Sequence, residues 1–400
     1  MKLKISLFFL HEFFGSLDFA RGLFVVFLMS KGLSLGEVGI LQTLLFWSNI
    51  VFEVPAGILA DRLKRKYSIA LGLGIISLVA FLMPHANSFI DYASLFILHG
   101  MGFAFRSGAD QALLFDELQH EGPEWAEKYL KLSARSKSLV NLALVLAMAA
   151  GGFLQGIGWH AVYVLFGTCM LMAMFFVLAI SERPHKALKK EISSSTESGF
   201  RTLVNFSRTQ EGRMLTLFVL GMGFFEATHA PFFIYSQSYL KQEGLSESLI
   251  SIVIAASLAL TSVGYLFVDK LSAVKFSKLV INKALLLAFL ISIFLFHPNV
   301  IVGILLFAVI DMIPSLLFVH SDNYINEKLP SSIRASLLSC QSLISSVFIS
   351  IAFLAAGRML DFFAAWKVLG LLFLLPLCGA LLLSVYFKKR AVIHLEASHV

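Results

Sequence analysis

A chain of 400 residues that is 58% hydrophobic and 14% charged is not a set of soluble domains, in which about a quarter of residues carry charge. Its net charge of +7 does not mark a nucleic-acid surface, because the lysines and arginines fall in short loops between apolar runs. Cys169, Cys340 and Cys378 all lie in apolar runs without metal-ligand spacing, which sets aside a disulfide framework, a zinc site and a thiol redox motif.

A bilayer core about 30 Å thick needs roughly 20 apolar residues in a helix. The first such run, 7–29, follows Met1-Lys2-Leu3-Lys4 in the manner of a leader peptide. His11, Glu12, Asp18 and Arg21 interrupt it and no small-residue cleavage site follows, so it reads as a retained helix. Runs at 38–60, 68–85, 90–114, 137–157 and 160–181 complete a set of six. The polar segment 115–137, with Gly122-Pro123-Glu124-Trp125, suits a short surface helix or a solvated loop equally. The longest polar stretch, Ser181 to Arg213 with Ser193-Ser194-Ser195-Thr196, reads as a linker. Six more runs follow at 214–240, 248–268, 279–296, 299–320, 337–356 and 367–387, and Lys388-Lys389-Arg390 opens a basic tail.

An even number of helices places both ends of the chain on one side. That side carries 26 of the 32 lysines and arginines, the other carries Lys31, Lys241, Arg358 and Lys367, and Arg21 and Arg106 fall inside predicted helices. The asymmetry puts both termini in the cytoplasm. The expected fold is an all-α membrane protein of twelve transmembrane helices in two six-helix bundles, residues 1–182 and 214–400, joined by a cytoplasmic linker at 183–213.

A shift of 208 residues aligns the halves. Asp61-Arg62-Leu63 falls on Asp269-Lys270-Leu271, Gly15 on Gly223, Asp18 on Glu226 and Arg21 on His229. Parallel repeats of six helices are a transporter architecture, with the substrate site at the midplane between them.

Gly57-Ile58-Leu59-Ala60-Asp61-Arg62-Leu63-Lys64-Arg65-Lys66 resembles the signature loop between the second and third helices of the major facilitator superfamily, G-x-L-A-D-R-x-G-R-K, with Lys64 where glycine is usual. Length, helix number, central linker and half-repeat extend the resemblance over nearly the whole chain. It implies a carrier that works by alternating access, with this loop latching the cytoplasmic side. Asp61 would face the N-terminus of a neighbouring helix, where the dipole favours a carboxylate. Arg62 and Arg65 would pair with acids at nearby helix ends, Asp116 and Glu117 being nearest by topology. Arg135 and Arg334 would join them, as would Asp269 and Lys270 of the repeat, with Glu53 two turns before Asp61 and Gly57 within the motif. A basic cluster that only fixes topology is the plainer reading of the same residues.

An ionisable group at the bilayer centre costs about 3 kcal/mol even on the lenient insertion scale, so it needs a partner, a cavity or a function. Asp18 and Arg21 are expected on one face of the first helix, and Glu226 and His229 on one face of the seventh, each pair at i, i+3. In the resembled family the first, fourth, seventh and tenth helices line the central cavity, so the two pairs are expected to face each other across it. Asp18 beside Arg21 reads as a permanent pair, and Glu226 beside the titratable His229 as the proton carrier. Pairs that only fix helix packing are the plainer reading of the same residues. Asp311, three residues before Pro314, is the next cavity candidate, followed by His99 in the fourth helix. Arg106 and Asp110 read either as an intrahelical i, i+4 pair or as an anion-binding group.

Neither exporter nor sugar-uptake motifs are complete. Phe96 stands where drug exporters of the resembled family carry an arginine four residues before a glycine, here Gly100. Ala147-Met148-Ala149-Ala150-Gly151-Gly152 keeps the paired glycines of G-P-x-x-G-G without its proline. His11-Glu12 begins like H-E-x-x-H, but residue 15 is Gly, and neither a G-x-S-x-G elbow nor a P-loop is present, so an enzyme or an ATP-driven pump is not expected. The expected function is proton-coupled efflux of an amphipathic organic solute, such as a drug-like compound or a secreted metabolite; uptake of a small organic anion with protons is the alternative. The energy source would be the proton gradient with no cofactor. The expected partners are the solute, protons and the lipid bilayer, with no nucleic acid, for a monomer in a bacterial inner membrane.

Overall fold

The computed structural model of the protein describes residues 2–119, 125–181, 209–264, 276–328 and 331–397. Asp269 and Lys270 lie outside them, and the side chains of Asp61, Arg62 and Arg334 are likewise outside what is described. All regular structure among the described residues is helical. The first part of the chain forms α1 (Lys2–Phe14), α2 (Phe24–Ser30), α3 (Leu35–Arg62), α4 (Arg65–Leu82), α5 (Phe89–Arg106), α6 (Ala109–Gln119), α7 (Trp125–Gln155) and α8 (Trp159–Ala179). Beyond the linker run α9 (Gln210–Gln242), α10 (Glu247–Gly264), α11 (Phe276–Ser292), α12 (Val300–Lys328), α13 (Ser331–Leu360), α14 (Ala365–Leu371) and α15 (Leu374–Ala397).

Local sequence explains where several helices begin and end. Ser34 caps α3 and Ser88 caps α5, each closing a box with an acid three residues later: Glu37 returns a 2.8 Å bond to the Ser34 amide, and Asp91 a 2.9 Å bond to that of Ser88. Gly32 and Gly244 end α2 and α9 at φ +85°, a backbone state that glycine adopts without strain. In both, the following leucine amide reaches back to a carbonyl five residues earlier, Leu33 to Leu28 and Leu245 to Leu240, the closure of a Schellman turn.

Ten of the described helices are long and apolar enough to cross a membrane. The expected first and fourth spans are present as interrupted helices. Residues 15–23 leave the helix between α1 and α2, so neither piece reaches spanning length. Asp91, His99 and Arg106 lower the hydropathy of α5, and Gly108 at φ +73° breaks it from α6. The segment 115–137 is helical on both flanks, where α6 runs to Gln119 and α7 starts at Trp125.

By contacts the chain divides into two compact units, Met1–Ala187 with Leu240–Ser262, and Leu188–Tyr239 with Val263–Val400. Within the first, α3, α4, α5 and α8 pack through small residues, as helices do where lipid removes the hydrophobic incentive. A Cβ on Gly72 would stand 2.6 Å from the Gly102 carbonyl oxygen, so α4 and α5 touch through their backbones. Ser48 donates to the Ile97 carbonyl at 2.6 Å and Ser77 to that of Gly167 at 2.8 Å. α10 joins this unit because Ser251 donates to the Met148 carbonyl and accepts from the Gly152 amide at 3.0 Å, where a Cβ on Gly152 would collide with Ser248. In the second unit, Phe232 packs edge-on against Phe294 and stacks with Phe307, and Tyr239 lies against Gly303.

Candidate functional site

The polar interior of the first unit centres on the break between α5 and α6. Arg106 ends α5 and Asp110 opens α6, so the two are joined across that break at 3.0 Å (Nε to Oδ2) rather than along one helix, which corrects the intrahelical reading. A second guanidinium nitrogen donates to the Gly15 carbonyl at 2.5 Å. Gly15 is required here: a Cβ would approach the guanidinium to 3.2 Å and the His11 carbonyl oxygen to 2.9 Å. From α1, His11 Nε2 meets Asp110 Oδ1 at 3.0 Å. His11 is fully buried, its neighbour Glu12 is 4% exposed, and His11 Nδ1 and Glu12 Oε1 have no hydrogen-bond partner among the described residues. One ligand atom from each of His11, Glu12 and Asp110 lies within 4.8 Å of the others, the one such group among the described residues. Sequence reasoning passed over His11 and Glu12 once the zinc-protease pattern failed. The signal available was their place one turn before Gly15 in an otherwise apolar run.

Asp18 and Arg21 do not share a helical face, because residues 15–23 are not helical. Asp18 Oδ1 instead accepts the amides of Ala20 and Arg21, both at 3.1 Å, holding the turn that leads into α2. His99 is half-buried, stacks on Phe103 with ring centroids 4.6 Å apart, and has a buried Nε2 without a hydrogen-bond partner among the described residues.

At the motif loop, Arg65 meets Asp116 of α6 at 2.7 Å, and Lys4 of α1 meets Glu117 at 2.6 Å. Lys66 donates to the carbonyls of Leu178 and Ile180 at the end of α8, at 3.0 and 2.8 Å, where the helix dipole favours a cation. Glu53 and Arg135 are exposed, and Gly57 opens onto free space.

In the second unit, α9 carries Glu226 and His229 on one continuous helix that runs through Pro231. His229 Nε2 reaches Asp311 Oδ1 of α12 at 2.8 Å, and Asp311 is 4% exposed. The carboxylate brought to His229 thus comes from a second helix. Proline at 231 and at 314 each removes an amide from the helix ladder beside this pair, freeing carbonyls one turn earlier.

The family model of the Major Facilitator Superfamily matches residues 8–352. The chain is 22% identical over 241 residues to YxaM of Bacillus subtilis (strain 168), an uncharacterized MFS-type transporter, covering 59% of each protein. It is 22% identical over 222 residues to the quinolone resistance protein NorA of Staphylococcus aureus (strain MRSA252), covering 54% of each. The matches span little more than half the length of these relatives. Among solved structures, the nucleoside transporter NupG superposes with a TM-score of 0.74 at 15% identity, over 97% of this chain and 100% of that one. A bacterial homologue of the human lysosomal transporter Spinster, inward-facing and occupied, gives 0.74 at 15% identity over 96% of each. These likenesses establish the all-α fold of a multi-pass membrane protein; at such identity they speak to fold alone.

Proposed function

Because the chain belongs to the Major Facilitator Superfamily, we propose that it is a proton-driven exporter of an amphipathic organic solute, working by alternating access between residues 1–182 and 214–400. The observation that carries the proton assignment is the His229–Asp311 pair, 2.8 Å across two helices with the acid buried. Imidazole is the side chain whose ordinary titration falls between about pH 5 and 8. When His229 holds a proton, the pair is a compensated ion pair. When it loses the proton, the imidazolium charge beside the buried Asp311 is gone, and another cation can take its place. A cationic amphipathic solute can supply it, so proton and solute alternate at one carboxylate, which is antiport. Glu226, one turn before His229 on α9, offers a further acid besides Asp311 of α12.

The Arg65–Asp116 pair supports the latch reading of the motif loop. Export is favoured by the resemblance to a quinolone resistance protein. The protein is read as a monomer of a bacterial inner membrane with both termini cytoplasmic, using the proton gradient and no cofactor. A screen of cationic and anionic amphipaths in proteoliposomes, with a pH gradient imposed in either sense, tests this. Solute should move against the proton flow, and flux should collapse with a protonophore. Cotransport in the direction of the protons would replace export by uptake.

A further inference from the structure

We propose that His11, Glu12 and Asp110 form a binding site for a divalent first-row transition-metal ion, with Arg106 as the residue that positions Asp110. Three independent features converge. The donors are already gathered, one atom from each within 4.8 Å of the others, from α1 and from the start of α6. His11 Nε2 and Asp110 Oδ1 stand 3.0 Å apart, close to the edge of a tetrahedron whose metal–ligand bonds are about 2 Å.

The second feature is unspent binding capacity. Buried polar atoms normally find a partner, and those that lack one ask for an explanation. Here two adjacent residues each leave one: His11 Nδ1, on a fully buried ring, and Glu12 Oε1, on a side chain 4% exposed. A neutral imidazole that keeps its proton on Nδ1 turns a bare Nε2 lone pair toward Asp110 Oδ1, and Glu12 Oε1 adds another. Lone pairs without donors are what a cation needs.

The third is charge. Glu12 and Asp110 bring two carboxylates, and Arg106 supplies one fixed cation, bound to Asp110 Oδ2 and to the Gly15 carbonyl. The other nearby acids are met elsewhere, Glu117 by Lys4 and Asp116 by Arg65. With both carboxylates ionised and His11 neutral, the state in which such groups ligate a metal, the cluster carries one negative charge beyond that of Arg106. By gripping Oδ2, Arg106 leaves Oδ1 directed at His11, the arrangement in which a neighbouring group fixes a ligand's orientation. One imidazole nitrogen and two carboxylate oxygens suit Zn²⁺, Mn²⁺, Fe²⁺ or Co²⁺; the imidazole disfavours Mg²⁺ and Ca²⁺, and the absence of thiolate disfavours Cu⁺. Three protein ligands leave one position open.

The test is Co²⁺ binding to the full chain, purified in detergent and stripped with chelator. His85 and His160, whose rings lie 5.0 Å apart, are both changed to Ala so that this histidine pair adds no background. We expect one equivalent of Co²⁺ with a visible d–d band, displaced by Zn²⁺ and not by Mg²⁺. His11→Gln and Glu12→Gln should each weaken binding by about tenfold or more, and Arg106→Lys should weaken it while keeping the band. If His11→Gln fails to elute as a single species, the isosteric Glu12→Gln carries the expectation alone. A cluster that serves only to exchange a proton would give no band, and that result, or equal binding by both variants, overturns the proposal. None of these readings depends on transport, so they stand apart from the proton-export assignment.

Discussion

The first span and its repeat in α9 share a register and use it differently. Gly15 matches Gly223, Asp18 matches Glu226, and Arg21 matches His229. Yet α9 is one helix of 33 residues, while the first span unwinds over 15–23. The glycine turns that close the two, Gly32 and Gly244, are 212 apart rather than 208, so the first span is one helical turn short. The chemistry follows the backbone. In the first span Asp18 holds a turn and Gly15 admits Arg106 of α5; in α9 the helix delivers His229 to Asp311, and Gly223 faces the Phe348 ring. A repeated charge marks a place in the fold and not a partner.

The largest difference is expected between Arg106 and His229. Arg106→Met leaves Asp110 and Glu12 uncompensated and should lower stability by about 3–5 kcal/mol, read from unfolding in detergent. His229→Gln, which removes a titratable group rather than a fixed charge, should cost less than half of that. Equal losses would mean that the two sites are electrostatically alike.

A smaller effect separates the glycines. Gly15→Ala forces a methyl against the His11 backbone and the Arg106 guanidinium, at about 1–3 kcal/mol. Gly223→Ala meets only the side chain of Phe348 and should cost less. Smallest is the turn at Asp18. Asp18→Asn keeps the oxygen that accepts the Ala20 and Arg21 amides and should be within about 0.5 kcal/mol of the parent, whereas Asp18→Ala loses both bonds for about 1 kcal/mol. A large loss in Asp18→Asn would restore a charge-based role there.

Much of this was legible in the sequence, for stated reasons. Apolar runs and basic loops report the bilayer directly, so the spans and the motif loop could be read, down to Arg65 and Asp116 as candidate partners. The break after Phe14 left a trace that hydropathy alone ignores: Gly15-Ser16 and Asp18 are turn formers, and the repeat shift grows by four before Gly32. Partners across helices were not legible. Nothing in the spacing of His11 or His229 points to Asp110 or Asp311, which lie 99 and 82 residues away and meet them only when the helices pack.

In the proposed antiport the proton is carried by His229 and Asp311 and not by the corresponding Asp18. Solute flux in proteoliposomes, driven by a pH gradient and then measured as exchange without one, tests it most directly for His229→Gln, Asp311→Asn and Asp18→Asn. The first two should lose gradient-driven flux and its pH dependence while keeping solute exchange, and Asp18→Asn should keep both. Gradient-driven flux at the parental rate in His229→Gln or Asp311→Asn, or its loss in Asp18→Asn alone, would contradict it.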